Sequence, residues 1–354
     1  MADANGVIPV FDGHNDALLR LWQQGGDVVA AFKASEAGDI DLEKAARGGL
    51  IGGFFAMFAT AGGLSIDFSA FDTPPYDLPL PPEMAQDAAA GVILGQAGVA
   101  ARLEAAGCVR FIRRAEDLAP LKAGEGFFGV LHIEGAECIG LELQELDALY
   151  ALGLRSVGPV WSRPTIFAEG VPFRYPSDGN TGGGLTEAGR ALVARCKELG
   201  VIVDCSHMTE AGFWDVAEAG VPLVATHSNS CDVTPSARNL SEAQLRAIGE
   251  TGGMVGLNFG TVFLNRDGSR QAAGVLDNAV AHLDRMIELA GEGHVGFGSD
   301  FDGAPMPDDL RSAADLPNLI RRLEAAQYGS ALIERLAHGN WIGFLERHFA
   351  GPVA

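Results

Sequence analysis

An α/β barrel of the (β/α)8 TIM type is the fold this sequence predicts, on three observations. Short β-rich runs alternate with longer helical ones, the β-rich runs number eight, and polar reactive side chains gather where those runs end. The 354 residues exceed an ordinary domain of about 150, but barrels of this class reach 250 or more as one unit. Residues 1–354 are therefore expected to form a single domain.

The first run, Val7-Ile8-Pro9-Val10, leads into Phe11-Asp12-Gly13-His14-Asn15-Asp16. The second spans Gly48–Thr60, where Ile51, Phe54, Phe55, Met57 and Phe58 lie between glycines. A Pro-rich linker, Thr73–Pro82, precedes a long Ala-rich helix over Glu83–Ala106. The remaining strands are Gly129–Ile133, Leu154–Val160, Val201–Cys205, Pro222–Thr226, Met254–Phe259 and Val295–Gly298.

Helical patterns fall between them at Leu141–Leu152, Leu185–Leu199, Glu210–Ala219, Ser241–Glu250 and Leu276–Ala290. Thr186 and Thr209 mark helix starts, and Gly200, Gly220 and Gly291 mark stops. The Gly/Pro-rich stretch Ser162–Gly184 reads as a long loop over one end, and Ala313–Phe349 as extra helices packed outside the barrel.

Composition narrows the function. At 47% hydrophobic and 20% charged the chain can bury a sizeable core. Its net charge of -21 opposes binding to nucleic acid or an anionic membrane, which leaves small molecules as the expected partners. The five cysteines, Cys108, Cys138, Cys196, Cys205 and Cys231, have no Cys-x-x-Cys spacing and read as small thiols in apolar segments. The opening Met1–Gly6 has no leader-like charge pattern, and no window reaches the roughly 18 uninterrupted apolar residues of a membrane span. A cytoplasmic, reducing location is the expectation.

The chemistry is read from the strand ends. His14 and Asp16 stand two residues apart, so an extended backbone points both to one face, where they could grip zinc or another borderline divalent ion. A lone His-x-Asp is just as often a polar loop. Later strands, however, end on Glu134, His207, His227 and Asp300, and three of the eight histidines occupy such positions. A barrel of this class builds its active site there, so chance becomes the poorer explanation.

The stretches Asp12–Asp16, Ile133-Glu134-Gly135, Asp204–His207, Thr226-His227-Ser228, Arg238-Asn239 and Gly298–Gly303 resemble, in order, the membrane dipeptidase (renal dipeptidase) family. This is peptidase family M19 of the amidohydrolase superfamily, and the likeness is closest to its soluble bacterial branch. The resemblance implies a metal-dependent hydrolase with two zinc ions per chain. One would be held by His14 and Asp16, the other by His207 and His227, with Glu134 bridging them. A hydroxide between the metals would attack the scissile carbonyl, with Asp300 carrying the proton to the leaving amine and Asp302 in support. Arg238 occupies the position that reads the substrate carboxylate, and dipeptides with a C-terminal D-residue fall within the range. A homodimer is the implied assembly.

The sequence departs from the family at one point. Trp161 stands where the better studied members place a carbonyl-polarising histidine, and indole carries no positive charge. Arg163 or a metal then becomes the candidate for that role, as does His132, two residues before Glu134. Two other readings stay open: a binuclear amidohydrolase acting on N-acyl amino acids or cyclic amides, and a non-catalytic metal-binding module. Asp300 speaks against the module, since a pure binding site has no use for a proton carrier.

Overall fold

The computed structural model describes residues 7–60 and 68–350. The opening hexapeptide Met1–Gly6, read above for a leader, lies outside them. Among the described residues the barrel strands are β1 Val10–Asn15, β2 Leu50–Phe58, β3 Phe128–Glu134, β4 Leu154–Gly158, β5 Ile202–Val203, β6 Val224–Ala225, β7 Met254–Leu257 and β8 Val295–Phe297. They pair in parallel in the order β5-β4-β3-β2-β1-β8-β7-β6, and a parallel bridge from Asp204 to Val224 joins the two ends of that row. The ring is nearly closed. A short strand, Arg110–Phe111, adds beside β3.

Period-two alternation explains which side chains face the barrel axis. Phe11, Phe54, Phe128, Val130, Ile202, Val224 and Met254 form one buried cluster, whereas Val10, Phe55, Leu131, Ile133, Val157 and Val203 pack in another with the helices. Along β3 the inward series Phe128, Val130 continues to His132 and Glu134. The apolar axis thus turns polar at the strand's C-terminal end.

The helix starts follow capping chemistry. The Thr186 side chain accepts from the Gly189 amide, Thr209 from Gly212, and Ser241 forms a reciprocal capping box with Gln244. The Ala-rich helix runs Gln86–Ala105, a few residues inside its expected bounds.

Three differences from the sequence reading have physical causes. Between β1 and β2 lie three short helices, Ala17–Gln24, Val28–Lys33 and Leu42–Gly48, too short for a clear period. The Pro-rich linker contributes Tyr76–Asp77, which pairs antiparallel with Arg174–Tyr175 from the long loop, so two segments expected to be irregular brace each other. The C-terminal region, expected to pack outside, also plugs the barrel. In its last helix, Asn340–Ala350, Trp341 is fully buried among the axial side chains, and its indole donates to the Phe297 carbonyl at 2.8 Å. Gly13 of β1 is what admits it: a Cβ there would stand 2.6 Å from the Trp341 ring and 2.5 Å from the Thr226 carbonyl.

Trp341→Ala is therefore expected to cost about 3–5 kcal/mol, through a cavity at the base of the barrel and an orphaned carbonyl. Urea unfolding of the two proteins checks it, and a loss below about 1 kcal/mol would show that the plug is dispensable.

Candidate active site

Glu134 is the centre of the polar end. Its Oε1 lies 3.0 Å from His207 Nε2, 3.2 Å from His227 Nε2 and 3.7 Å from His14 Nε2. Asp16 Oδ2 lies 3.7 Å from His14 Nε2. Two sets of ligand atoms, His14/Asp16/Glu134 and Glu134/His207/His227, each fall within 4.8 Å and share Glu134. Asp300 forms a further such set with His14 and His227.

The donor set fits divalent cations. His14 Nε2 and Asp16 Oδ1 are buried with no hydrogen-bond partner among the described residues, which is costly unless a ligand satisfies them. Burial pulls His14 toward neutrality, yet Glu134, Asp16 and Asp300 carry it up to about 10. Burial raises Glu134 well above the usual carboxylate range, reinforced by Asp16 and Asp300. Such a cluster draws positive charge into the site. His207 and His227 are held neutral by burial and by Arg238 and His14, the state in which imidazole binds metal.

Asp300 and Asp302 both adopt left-handed backbone, with φ of 61° and 66°, a conformation that Asp tolerates better than most residues. Asn258 Nδ2 donates to Asp300 Oδ2 at 2.8 Å, while burial, ahead of Asp16, raises the Asp300 pKa. Gly303 must be glycine here, because a Cβ would strike the Asp16 and Asp300 carboxylates. Asp302 pairs with Arg20 Nε at 3.0 Å and accepts from the Asp39 amide at 2.7 Å, so its place is structural support beside Asp300.

Above this floor opens a cavity of about 680 Å³, counting its mouth. Asp16, Glu134, His207, Asp300 and Asp302 border it below, and Phe71, Trp161, Phe173 and Phe263 are among its aromatic walls. The small sheet holds that wall up: Phe71 contacts Tyr76 at 4.9 Å and Phe173 at 5.9 Å between centroids. The shape suits a small molecule with a polar reacting group and an apolar body.

The model of the membrane dipeptidase family (peptidase family M19) matches residues 4–347. The chain belongs to that family. With the family goes the class: the chain is a metallo-dipeptidase. A crystal structure of a metallo peptidase from Rhodobacter sphaeroides, liganded with a phosphinate mimic of the dipeptide L-Ala-D-Ala, is 46% identical with a TM-score of 0.94. The match covers 96% of this chain and 99% of that one. An uncharacterized protein of the pqqA 5' region of Klebsiella pneumoniae is 43% identical over 242 residues, 68% of this chain and 89% of that protein. An uncharacterized dipeptidase, C965.12, of Schizosaccharomyces pombe is 28% identical over 327 residues, 89% of this chain and 74% of that protein.

Within this membrane dipeptidase family member, the remaining candidates fall in different places. Trp161 borders the cavity, 5.8 Å from the His207 ring. Arg238 is buried behind the histidines, not on the surface: its Nη atoms donate to the Ser206 and His227 carbonyls, while Nε has no partner among the described residues. His132 is buried against Ser156 Oγ at 2.9 Å, and burial pushes it down to about 3, so it brings no charge to a substrate carbonyl. Arg163 does not border the cavity either. Its Nη1 donates to buried Glu137 at 3.1 Å and to the Ala59 carbonyl, bonds that a role in place of the family histidine would have to break, and its guanidinium lies 5.7 Å from the Trp161 ring.

Asn258 was missed in the sequence although it ends β7 as the other candidates end their strands; as a side chain unable to ionise it drew no attention. Arg20 and Asp39 have no sequence signal, since only the fold brings them to Asp302.

Arg163→Met should leave Glu137 buried and unpaired and lower stability by about 3 kcal/mol or more, with little change in KM for a dipeptide. A large rise in KM at unchanged urea stability would return Arg163 to the substrate.

Proposed function

We propose that this chain is a two-zinc dipeptidase in which His14 and Asp16 hold one ion, His207 and His227 the other, and Glu134 both. The observation that carries this is the one oxygen, Glu134 Oε1, lying within 3.7 Å of all three imidazoles. Bound there, the ions would acidify water and polarise the substrate carbonyl. Each remaining task is assigned to a protein side chain.

Asp300 is the proton carrier. Asn258 fixes its Oδ2, the residue borders the cavity, and its raised pKa suits a group that must both take and release a proton. To Arg238 we assign the substrate's terminal carboxylate, the role the family resemblance implies; to make it, the guanidinium has to exchange its bonds to the Ser206 and His227 carbonyls for the carboxylate. Trp161 and its aromatic neighbours receive the apolar body of the substrate and exclude water.

Recognition through the carboxylate is indifferent to the configuration of the residue bearing it, so the proposal includes dipeptides with a C-terminal D-residue. The phosphinate mimic of L-Ala-D-Ala in the Rhodobacter sphaeroides neighbour supports this. Among the described residues no helix is long and apolar enough to cross a membrane. We place the enzyme in the cytoplasm as a single-domain homodimer, the assembly implied by the family.

A hydrolysis panel tests the reading. L-Xaa-L-Xaa and L-Xaa-D-Xaa dipeptides should be cleaved, C-amidated dipeptides and N-acetyl amino acids poorly. Asp300→Asn should lower kcat by about 10²-fold or more with metal content nearly unchanged. Equal turnover of free and amidated dipeptides would transfer the site to the broader amidohydrolase reading.

A further inference from the structure

Beneath the histidines lies a further buried carboxylate. Asp204 follows β5 and is 3% exposed. Its Oδ1 accepts from the Ser206 amide at 3.1 Å, the Ser206 hydroxyl at 2.6 Å and the Thr226 amide at 2.9 Å; its Oδ2 accepts from Thr226 Oγ1 at 2.7 Å. His132 Nε2 stands 3.5 Å from the same Oδ2. Thr226 Oγ1 in turn lies 2.9 Å from His227 Nδ1 and 3.4 Å from His14 Nδ1.

Counting hydrogens gives this chain a direction. An ionised carboxylate only accepts, so the single Thr226 hydroxyl hydrogen points to Asp204. The hydroxyl oxygen then has only lone pairs to offer the imidazole, and His227 Nδ1 must be the donor. In a neutral ring that leaves Nε2 bare, facing Glu134 Oε1 at 3.2 Å and His207 Nε2 at 3.1 Å; without a cation His207, whose tautomer is free, donates its Nε2–H to that lone pair. We infer that Asp204 is a positioning residue: acting through the Thr226 hydroxyl, it sets the tautomer of His227 and aims an Nε2 lone pair into the metal-binding cluster.

The geometry distinguishes the histidines. His14 Nδ1 meets the same oxygen at the longer distance of 3.4 Å, so its share in the relay is weaker. His207 Nδ1 instead lies 3.0 Å from Ser162 Oγ, and among the described residues no carboxylate takes the Ser162 hydrogen. That serine can donate or accept and imposes no tautomer. The relay also crosses the seam where the barrel ring closes, since Asp204 is itself bridged to Val224. One carboxylate thus ties β5 to β6 and sets the protonation pattern of the ligand that follows β6.

The inference rests on the two-metal reading, and its test is chosen to separate the two. Full-length protein labelled with ¹⁵N-histidine is read by NMR without metal, and zinc affinity is measured by chelator competition. Wild type and Thr226→Ser, which keeps the hydroxyl, should show His227 protonated at Nδ1 and bind zinc with similar affinity. Thr226→Val keeps the shape but removes the acceptor; it should lose the preference for Nδ1 and bind zinc about 10–100-fold more weakly. Asp204→Asn should do the same, because an amide can donate to Thr226 Oγ1 and turn its hydrogen toward His227.

The threonine pair decides the matter even where Asp204→Asn folds poorly. A folded Thr226→Val with wild-type zinc affinity, or a wild-type His227 protonated at Nε2, would overturn the relay. Neither result touches the dipeptidase assignment, which is read from the hydrolysis panel.

Discussion

Burying three carboxylates and three imidazoles together at one end of the barrel is the constraint on which the rest of the structure depends. Asp16, Glu134 and Asp300 are each less than a tenth exposed, as are His14, His207 and His227. In a low-dielectric site such a set repels itself, and His14 is driven toward protonation as a consequence. Divalent ions held there would remove the conflict, neutralising the carboxylates and satisfying the orphaned His14 Nε2 and Asp16 Oδ1. The same polarity that makes the site costly to fold without metal makes it suited to activate water beside a peptide carbonyl.

The scaffold meets this cost with rigidity. The candidate ligands lie at the C-terminal ends of barrel strands, His14 and Glu134 within β1 and β3, Asp16 directly after β1, and His227 and His207 two and four residues past β6 and β5, and further buried polar groups fix them from behind. Asp12 accepts from the Ser299 amide and hydroxyl and so ties β1 to the turn that carries Asp300. Asp204 does the equivalent between β5 and β6. At the opposite end Trp341 fills the barrel, so the strands have little freedom to shift. The aromatic wall, braced by the Tyr76–Asp77 and Arg174–Tyr175 pair, supplies the apolar half of the substrate cavity.

The legibility of this arrangement in the sequence followed the range of the interactions. The strands could be read because apolar alternation and glycine boundaries are local, and the metal-competent residues because they punctuate strand ends. Along β3, Phe128, Val130, His132 and Glu134 share one parity, so the turn from apolar to polar is written in seven residues. Arg163 could not be read, because its partner Glu137 lies on another turn and only folding brings the two within 3.1 Å. Trp341 was hidden for the same reason: its burial depends on Gly13 and Phe297, far away in the chain. The pairing of Tyr76–Asp77 with Arg174–Tyr175 joins two stretches that each looked irregular alone.

Glu134 would serve both of two metal sites, and the direct measurement of that is zinc per chain at saturation. Equilibrium dialysis followed by elemental analysis should give two ions for the wild type. Glu134→Gln, which nearly preserves size but loses the charge, should weaken both sites together. A wild type that never holds more than one zinc, or a Glu134→Gln protein that still binds two with undiminished affinity, would contradict the account.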